Sequence, residues 1–328
     1  MNRQRKKHLR WWHILVEWLD SHAPLKDSPA GAEDRIVWLR TVPFVVLHLM
    51  CLGVIWVGFS WPAFGTAVML YFIRMFFVTG FYHRYFSHRT FKTSRAFQLV
   101  MAICGGLTLQ RGPLWWAAHH RHHHAHSDKP EDAHSPRLRG MFWSHLGWFL
   151  SRKNSQTPLK MVKDWTKFPE LVFLDRFDWI LPGLLAIFLY LSGTLMAWYV
   201  PQWETTGMQM LIWGFFISTV VLFHATFLIN SLSHLIGTQR FKTSDDSRNS
   251  FILALITLGE GWHNNHHHCP GAVRQGLCWW EVDLTYYLLW LLSKFNLIWD
   301  LRPVPAPVMQ FVRTQPHDWK RGRGSREN

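Results

Sequence analysis

Residues 41–80 read TVPFVVLHLMCLGVIWVGFSWPAFGTAVMLYFIRMFFVTG, with Arg74 as their one formal charge. A bilayer-spanning helix takes about 20 mainly apolar residues. This stretch therefore has room for two spans, about 43–59 and 64–82, divided at Ser60-Trp61-Pro62, where proline breaks the helix. Residues 179–203 and 205–239 carry no charged side chain, and they predict a second hairpin with spans about 179–199 and 208–230. The mean hydropathy of −0.04 hides this segregation. The 328-residue chain as a whole is strongly basic, with 35 Lys and Arg against 21 Asp and Glu, a net charge of +14. The short connections near 60–63 and 200–207 lack Lys and Arg, whereas 1–40, 81–178 and 240–328 hold all of them except Arg74. That bias places both termini and the long middle segment in the cytoplasm, the inner-membrane face in a bacterial cell.

The expected architecture is an all-α membrane protein of four transmembrane helices in two hairpins, with a cytoplasmic helical cap over 83–178 and 231–302. Residues 1–40 form an N-terminal segment whose Leu9–Leu19 stretch suits a helix lying in the membrane interface, its Trp rings at headgroup level. That stretch is too short, carries Glu17 and lacks a cleavage site, so it does not read as a signal peptide. Residues 41–302 form the functional domain, and 303–328 are expected to be a basic flexible tail. Cys51, Cys104, Cys269 and Cys278 show no CxxC spacing and default to reduced thiols. The positive balance points to anionic lipid headgroups rather than nucleic acid. Arg74 sits mid-span, where a charge usually faces the protein interior.

Histidine carries the chemistry. FYHRYFSHRTF (81–91) holds His83 and His88, WWAAHHRHHHAHSD (115–128) holds the densest run, and GEGWHNNHHH (259–268) holds His263, His266 and His267. Asn230 and His234 lie four apart in INSLSH. His120, His123 and His124 are spaced i, i+3, i+4, as are His263, His266 and His267, which groups imidazoles on one helix face. His119, His122 and His123 satisfy the same spacing, so the residues alone leave that register open. His83 and His88 are five apart, about 140° around an α-helix, and need a helix end or two different metals to act together. Nine imidazoles exceed what one ion takes and favour Fe, Zn, Cu or Ni over hard cations, so two ions are expected. His8, His13, His22, His48, His145, His224 and His317 read as ordinary interfacial or core residues. A carboxylate-bridged site built on Glu131-x-x-His134 is disfavoured because Pro130 and Pro136 deny it a long helix. Glu260 is placed to orient a ligand imidazole from behind.

Taken together, HRYFSH (83–88), HRHHH (120–124), HNNHH (263–267) and NSLSH (230–234) resemble the membrane fatty-acyl desaturases of the stearoyl-CoA type, over about Phe77–His268. GMFWSHLGW (140–148) and GEGWH (259–263) add to the resemblance. It implies the register His120, His123, His124, because the family has Arg directly after the first His of that box. It further implies that the ligands of two irons are His83, His88, His120, His123, His124, Asn230 (through water), His234, His263, His266 and His267. O2 would be the co-substrate and no protein general base is required. The reaction implied is a cis double bond, at the Δ9 position, in a saturated fatty-acyl chain, with acyl-CoA as the first expectation. Gln110, Trp116 and Thr226 occupy the places of the residues that kink the family's substrate tunnel, while Phe227 replaces a Trp. Ala118 and His119 stand where animal members carry the Arg-Asp that contacts CoA, which leaves acyl carrier protein and phospholipid acyl chains open. No HPGG element occurs, so electrons are expected from a separate donor of the ferredoxin, rubredoxin or cytochrome b5 type. A membrane hydroxylase of alkyl or lipid chains is the alternative within the same chemistry. A metal transporter would need ionisable groups along the spans, which offer His48, Arg74 and His224.

Overall fold

The computed structural model describes residues 16, 18–23 and 34–314. Most of the expected interfacial helix, and residues 315–328, lie outside the described residues. The principal helices are α1 (Trp38–Cys51), α2 (Trp61–Ser87), α3 (Arg95–Gly106), α4 (Pro113–His126), α5 (Ile180–Tyr199), α6 (Gly207–His234), α7 (Phe251–Ile256), α8 (His263–His268), α9 (Leu284–Lys294) and α10 (Ala306–Thr314). A short antiparallel ribbon joins β1 (Lys92–Thr93) to β2 (Ile298–Trp299). The chain divides into two compact units. One comprises Met1–Arg74, Ala102–His119 and Gly147–Phe223; the other comprises Met75–Met101, His120–Leu146 and His224–Asn328.

Among the described residues, three helices are long and apolar enough to cross a membrane: α2, α5 and α6. The first expected span, 43–59, is a shorter apolar stretch, Thr41–Val57, interrupted after α1. Gly53 lies at the interruption, with its backbone still in the right-handed helical region. A Cβ on Gly53 would come within 2.7 Å of the Ile212 side chain, so the chain passes α6 with backbone alone. α5 and the start of α6 approach just as closely at Gly193, where a Cβ would meet the Thr206 carbonyl oxygen at 2.5 Å. Ala63, Leu189, Met210 and Phe215 form the apolar core of this first unit. Arg74 is buried there, donating to Ser218 Oγ (2.5 Å), Thr219 Oγ1 (2.8 Å) and the Leu70 carbonyl (3.3 Å). Asp175 caps α4, its Oδ1 accepting from Leu114 N (2.9 Å) and Trp115 N (2.7 Å).

In the second unit, the end of α2 over Phe77–Ser87 is π-helical. α9 lies against it, with Thr285 Oγ1 2.7 Å from Thr79 Oγ1. Arg84 is fully buried and joins Glu260 Oε1 (2.9 Å) to Asp283 Oδ1 (2.8 Å). The tail expectation fails for its first residues. α10 covers Ala306–Thr314 and seats Val312 against Phe241, Leu277 and Cys278, because Val308, Met309 and Val312 give the segment an apolar face despite its flanking prolines and basic residues.

Candidate metal centre

The π-helical turn resolves the five-residue spacing of the first histidine pair. In an α-helix His83 and His88 point about 140° apart, whereas an i→i+5 bond turn brings such residues to one side. His88 N donates to the His83 carbonyl at 3.2 Å, and the two imidazole centroids are 4.9 Å apart. His88 is the C-cap of this segment, so the helix end that the spacing called for is present, in π form, and both rings fall in one group.

Two groups of ring nitrogens lie side by side in the second unit. His83, His88, His120, His124 and His266 form the first, and His123, His234, His263 and His267 the second, each with its ligand atoms within 4.8 Å of one another. Neighbouring residues feed different groups, since the His123 and His124 rings lie 5.6 Å apart, as do those of His266 and His267. The i, i+3, i+4 spacing therefore serves both groups at once. His119 and His122 turn elsewhere. His119 Nε2 lies 3.2 Å from the Gln156 carbonyl oxygen, and His122 packs on His126 with centroids 4.5 Å apart.

Carboxylates stand behind the imidazoles. Glu260 Oε2 is 2.5 Å from His83 Nδ1. Three further acids were not anticipated: Asp132 on His123 Nδ1 (3.1 Å), Asp128 on His234 Nδ1 (2.8 Å) and Asp245 on His267 Nδ1 (2.7 Å). Asp128 and Asp132 follow the middle box within SDKPED, and Asp245 lies in TSDDS. That acidity was the available signal, but sequence could not say which ring each acid meets.

These contacts fix the tautomers. A carboxylate facing Nδ1 holds the proton there and leaves the Nε2 lone pair directed away from it. His267 Nε2 is buried and has no hydrogen-bond partner among the described residues, and the Nε2 atoms of His234 and His263 meet at 3.1 Å. Lone pairs converging in a buried space call for a cation. Burial, followed by neighbouring imidazoles, holds His88, His120, His124, His263 and His266 well below the ordinary histidine value, so these rings are neutral at neutral pH and each keeps a lone pair to offer. Burial also lowers His267, to about 4, against the opposing pull of Asp245. For Glu260 burial acts upward, but the His83 ring and the Arg84 guanidinium facing it outweigh burial and leave the carboxyl at about 2. The donor set of neutral imidazoles fits a transition metal.

The other expected residues fall as follows. Asn230 lies one turn before His234 on α6, its carbonyl oxygen accepting from Ser144 Oγ at 2.8 Å. Thr226 is on the same helix in the second unit. Gln110 and Trp116 belong to the first unit, where Trp116 Nε1 donates to Gln110 Oε1 at 3.4 Å. Histidines expected to be ordinary have ordinary partners: His22 meets Asp175 (2.8 Å), His48 Nδ1 the Phe44 carbonyl (2.8 Å), and His145 both His224 and Ser231 (3.0 Å each).

The chain matches the family described as fatty acid desaturase over residues 59–302. It is 34% identical to the sn-2 palmitoyl-lipid 9-desaturase of Nostoc sp. (strain 36) over 272 residues, covering 81% of this chain and 90% of that one. The sn-1 stearoyl-lipid 9-desaturase of Anabaena variabilis is 35% identical, covering 65% and 74%. An acyl-CoA 5-desaturase of Anemone leveillei is 34% identical, covering 88% of each.

Proposed function

The chain belongs to the fatty acid desaturase family, and from that premise we propose an O2-dependent diiron enzyme that introduces a cis double bond, at Δ9, into a saturated fatty-acyl chain. The observation that carries this reading is the pairing of five and four imidazoles in adjoining groups. Two irons are assigned to them, one to each, with Asn230 added to the second group through water. When bound, the irons supply the oxidising chemistry by which O2 takes two hydrogens from adjacent methylenes. Two electrons from a separate donor and two protons complete the reduction of O2 to two waters.

The protein's own residues do the rest. Glu260, Asp132, Asp128 and Asp245 hold protons on the Nδ1 atoms of His83, His123, His234 and His267, keeping each Nε2 available. Burial of the imidazoles excludes water from the oxidising site. A saturated chain offers no polar handle, so position along it is set by apolar walls, to which we assign Trp116, with Gln110 as its hydrogen-bond partner, and Thr226.

For the acyl carrier, one observation favours a glycerolipid over the CoA thioester first expected. Ala118 replaces the Arg of the CoA-contacting pair, and His119, in the Asp position, is buried and engaged with the Gln156 carbonyl. Two of the relatives named above are lipid 9-desaturases. The test is expression in a host without desaturases, with lipid classes separated and acyl chains analysed by mass spectrometry under air and under nitrogen. Oxygen-dependent Δ9 unsaturation in intact glycerolipid supports the proposal; hydroxylated chains would move it to the hydroxylase reading.

A further inference from the structure

The three aspartates behind the four-imidazole group are joined to one another. Asp132 Oδ2 accepts from the backbone N–H of Asp128 (2.9 Å), and Asp128 Oδ2 accepts from the backbone N–H of Asp246 (2.9 Å). Asp246 is the neighbour of Asp245, whose Oδ1 accepts from Ser247 N (3.1 Å) and Thr243 Oγ1 (2.9 Å). Ser135 Oγ donates to Asp128 Oδ1 at 2.6 Å, which fixes the middle carboxylate from its other side. Each acid faces the Nδ1 of one imidazole, and Asp132 and Asp128 also hold the backbone at or beside the next acid. Asp128 is central, because it meets His234 directly and reaches His267 through the Asp245-Asp246 loop. The rings so held, His123, His234 and His267, all belong to the four-imidazole group.

We propose that Asp132, Asp128 and Asp245 are positioning residues that act as one chain on the metal of the four-imidazole group, so that neutralising Asp128 weakens that metal selectively. The proposal rests on the two-metal reading above. It has a second consequence. Because Asp128 helps place Asp245, the two act through a shared path, and substitutions in one hydrogen-bond network are not additive.

The test is titration of purified, metal-stripped full-length protein with Co(II), followed by visible absorption. Wild type takes two ions. Asp128→Asn keeps an acceptor oxygen and tolerates the left-handed backbone at that position (φ 56°), so it removes charge without forcing a new turn. One Co(II) is expected to bind about 10–100-fold more weakly with a shifted absorption band, while the other keeps its affinity and spectrum. Asp128→Asn/Asp245→Asn together should weaken binding by less than the product of the single effects. Asp246→Asn retains the backbone N–H that Asp128 holds and should leave both ions unchanged. If Asp128→Asn does not fold, Asp245→Asn at the end of the chain carries the same selectivity test. Equal weakening of both ions, no weakening, or simple multiplication of the single effects would overturn the proposal. A wild type that binds fewer than two Co(II) sinks the two-metal reading itself, a result the variants cannot produce.

Discussion

His267 and His268 are adjacent, and their environments differ completely. His267 gives Nδ1 to Asp245 and turns a buried, unpartnered Nε2 toward His123, His234 and His263. His268 instead stacks on Phe241 at 4.0 Å with the rings 5° from parallel. His267→Ala is therefore expected to abolish unsaturated product and lower bound metal. His268→Ala should keep most activity and lose about 0.5–1.5 kcal/mol of stability from the stacked pair. Product analysis and metal content of the two purified variants separate these outcomes. Arg84 supports the same site from further out, through Glu260. Its removal leaves two buried carboxylates facing each other's charge, so Arg84→Met should destabilise by about 3–5 kcal/mol, read as a sharply shortened lifetime in detergent at constant temperature. Equal lifetimes of Arg84→Met and wild type would show that the buried cluster is not the support inferred for it.

Among the elements, α2 and α10 show where sequence reading stops. The apolar content of residues 64–82 announces a helix, but whether its last turns are α or π depends on how the tertiary structure accommodates two imidazoles five apart, and no local propensity encodes that. The same limit applies to α10. Its prolines and basic flank read as tail, while its apolar face becomes informative only once Phe241 and Leu277 are there to meet it. α9 gives a prediction of its own. Leu284, Tyr287, Leu288, Leu291 and Phe295 are exposed at helical spacing, while Thr285 and Leu289 are buried. The buried side is tied to α2 at Thr79, eight residues before the end of a helix long enough to span. A large exposed apolar stripe at that level needs a nonpolar neighbour, and we expect it to be lipid. Nitroxides at Leu288 and Leu291 in proteoliposomes should collide with O2 far more than with a water-soluble nickel chelate. The reverse preference would place α9 in water and leave its stripe for a protein partner.

At the scale of the whole molecule, charge segregation and histidine spacing made the helical membrane class and the metal-binding segments legible before any coordinates. The division of nine imidazoles into five and four was not legible, because HxxHH fixes a helix face but not the direction each Nε2 takes. Nor were the carboxylates behind them, since Asp128 and Asp245 lie far from their rings in sequence. The break in the first apolar stretch falls at Gly53, which packs beside a residue distant in sequence, Ile212. That break bears on topology, because the interrupted segment Thr41–Val57 is shorter than a usual span. We propose that it crosses nonetheless, on the contacts at its two ends. At one end, Val37 N donates to the Leu150 carbonyl and Arg152 N to the Arg35 carbonyl, at 3.2 Å each. At the other, Gln209 Nε2 donates to the Val57 carbonyl (2.9 Å), Trp213 Nε1 to the Gly58 carbonyl (3.1 Å), and Ser60 Oγ lies 2.6 Å from Thr205 Oγ1. The turns near 58–60 and 200–206 are thereby held together, while residues 35–37 are held to 150–152. With the four native cysteines replaced, a membrane-impermeant maleimide applied to intact cells should label Trp61→Cys and Trp203→Cys, whose side chains are exposed. Lys153→Cys, also exposed, should react only after permeabilisation on the proposed topology, in which the charge bias sets the basic segments on the cytoplasmic side. Labelling of Trp61→Cys and Trp203→Cys from opposite sides, or of Lys153→Cys from outside, would refute a four-pass path and require the first apolar stretch to lie within one leaflet.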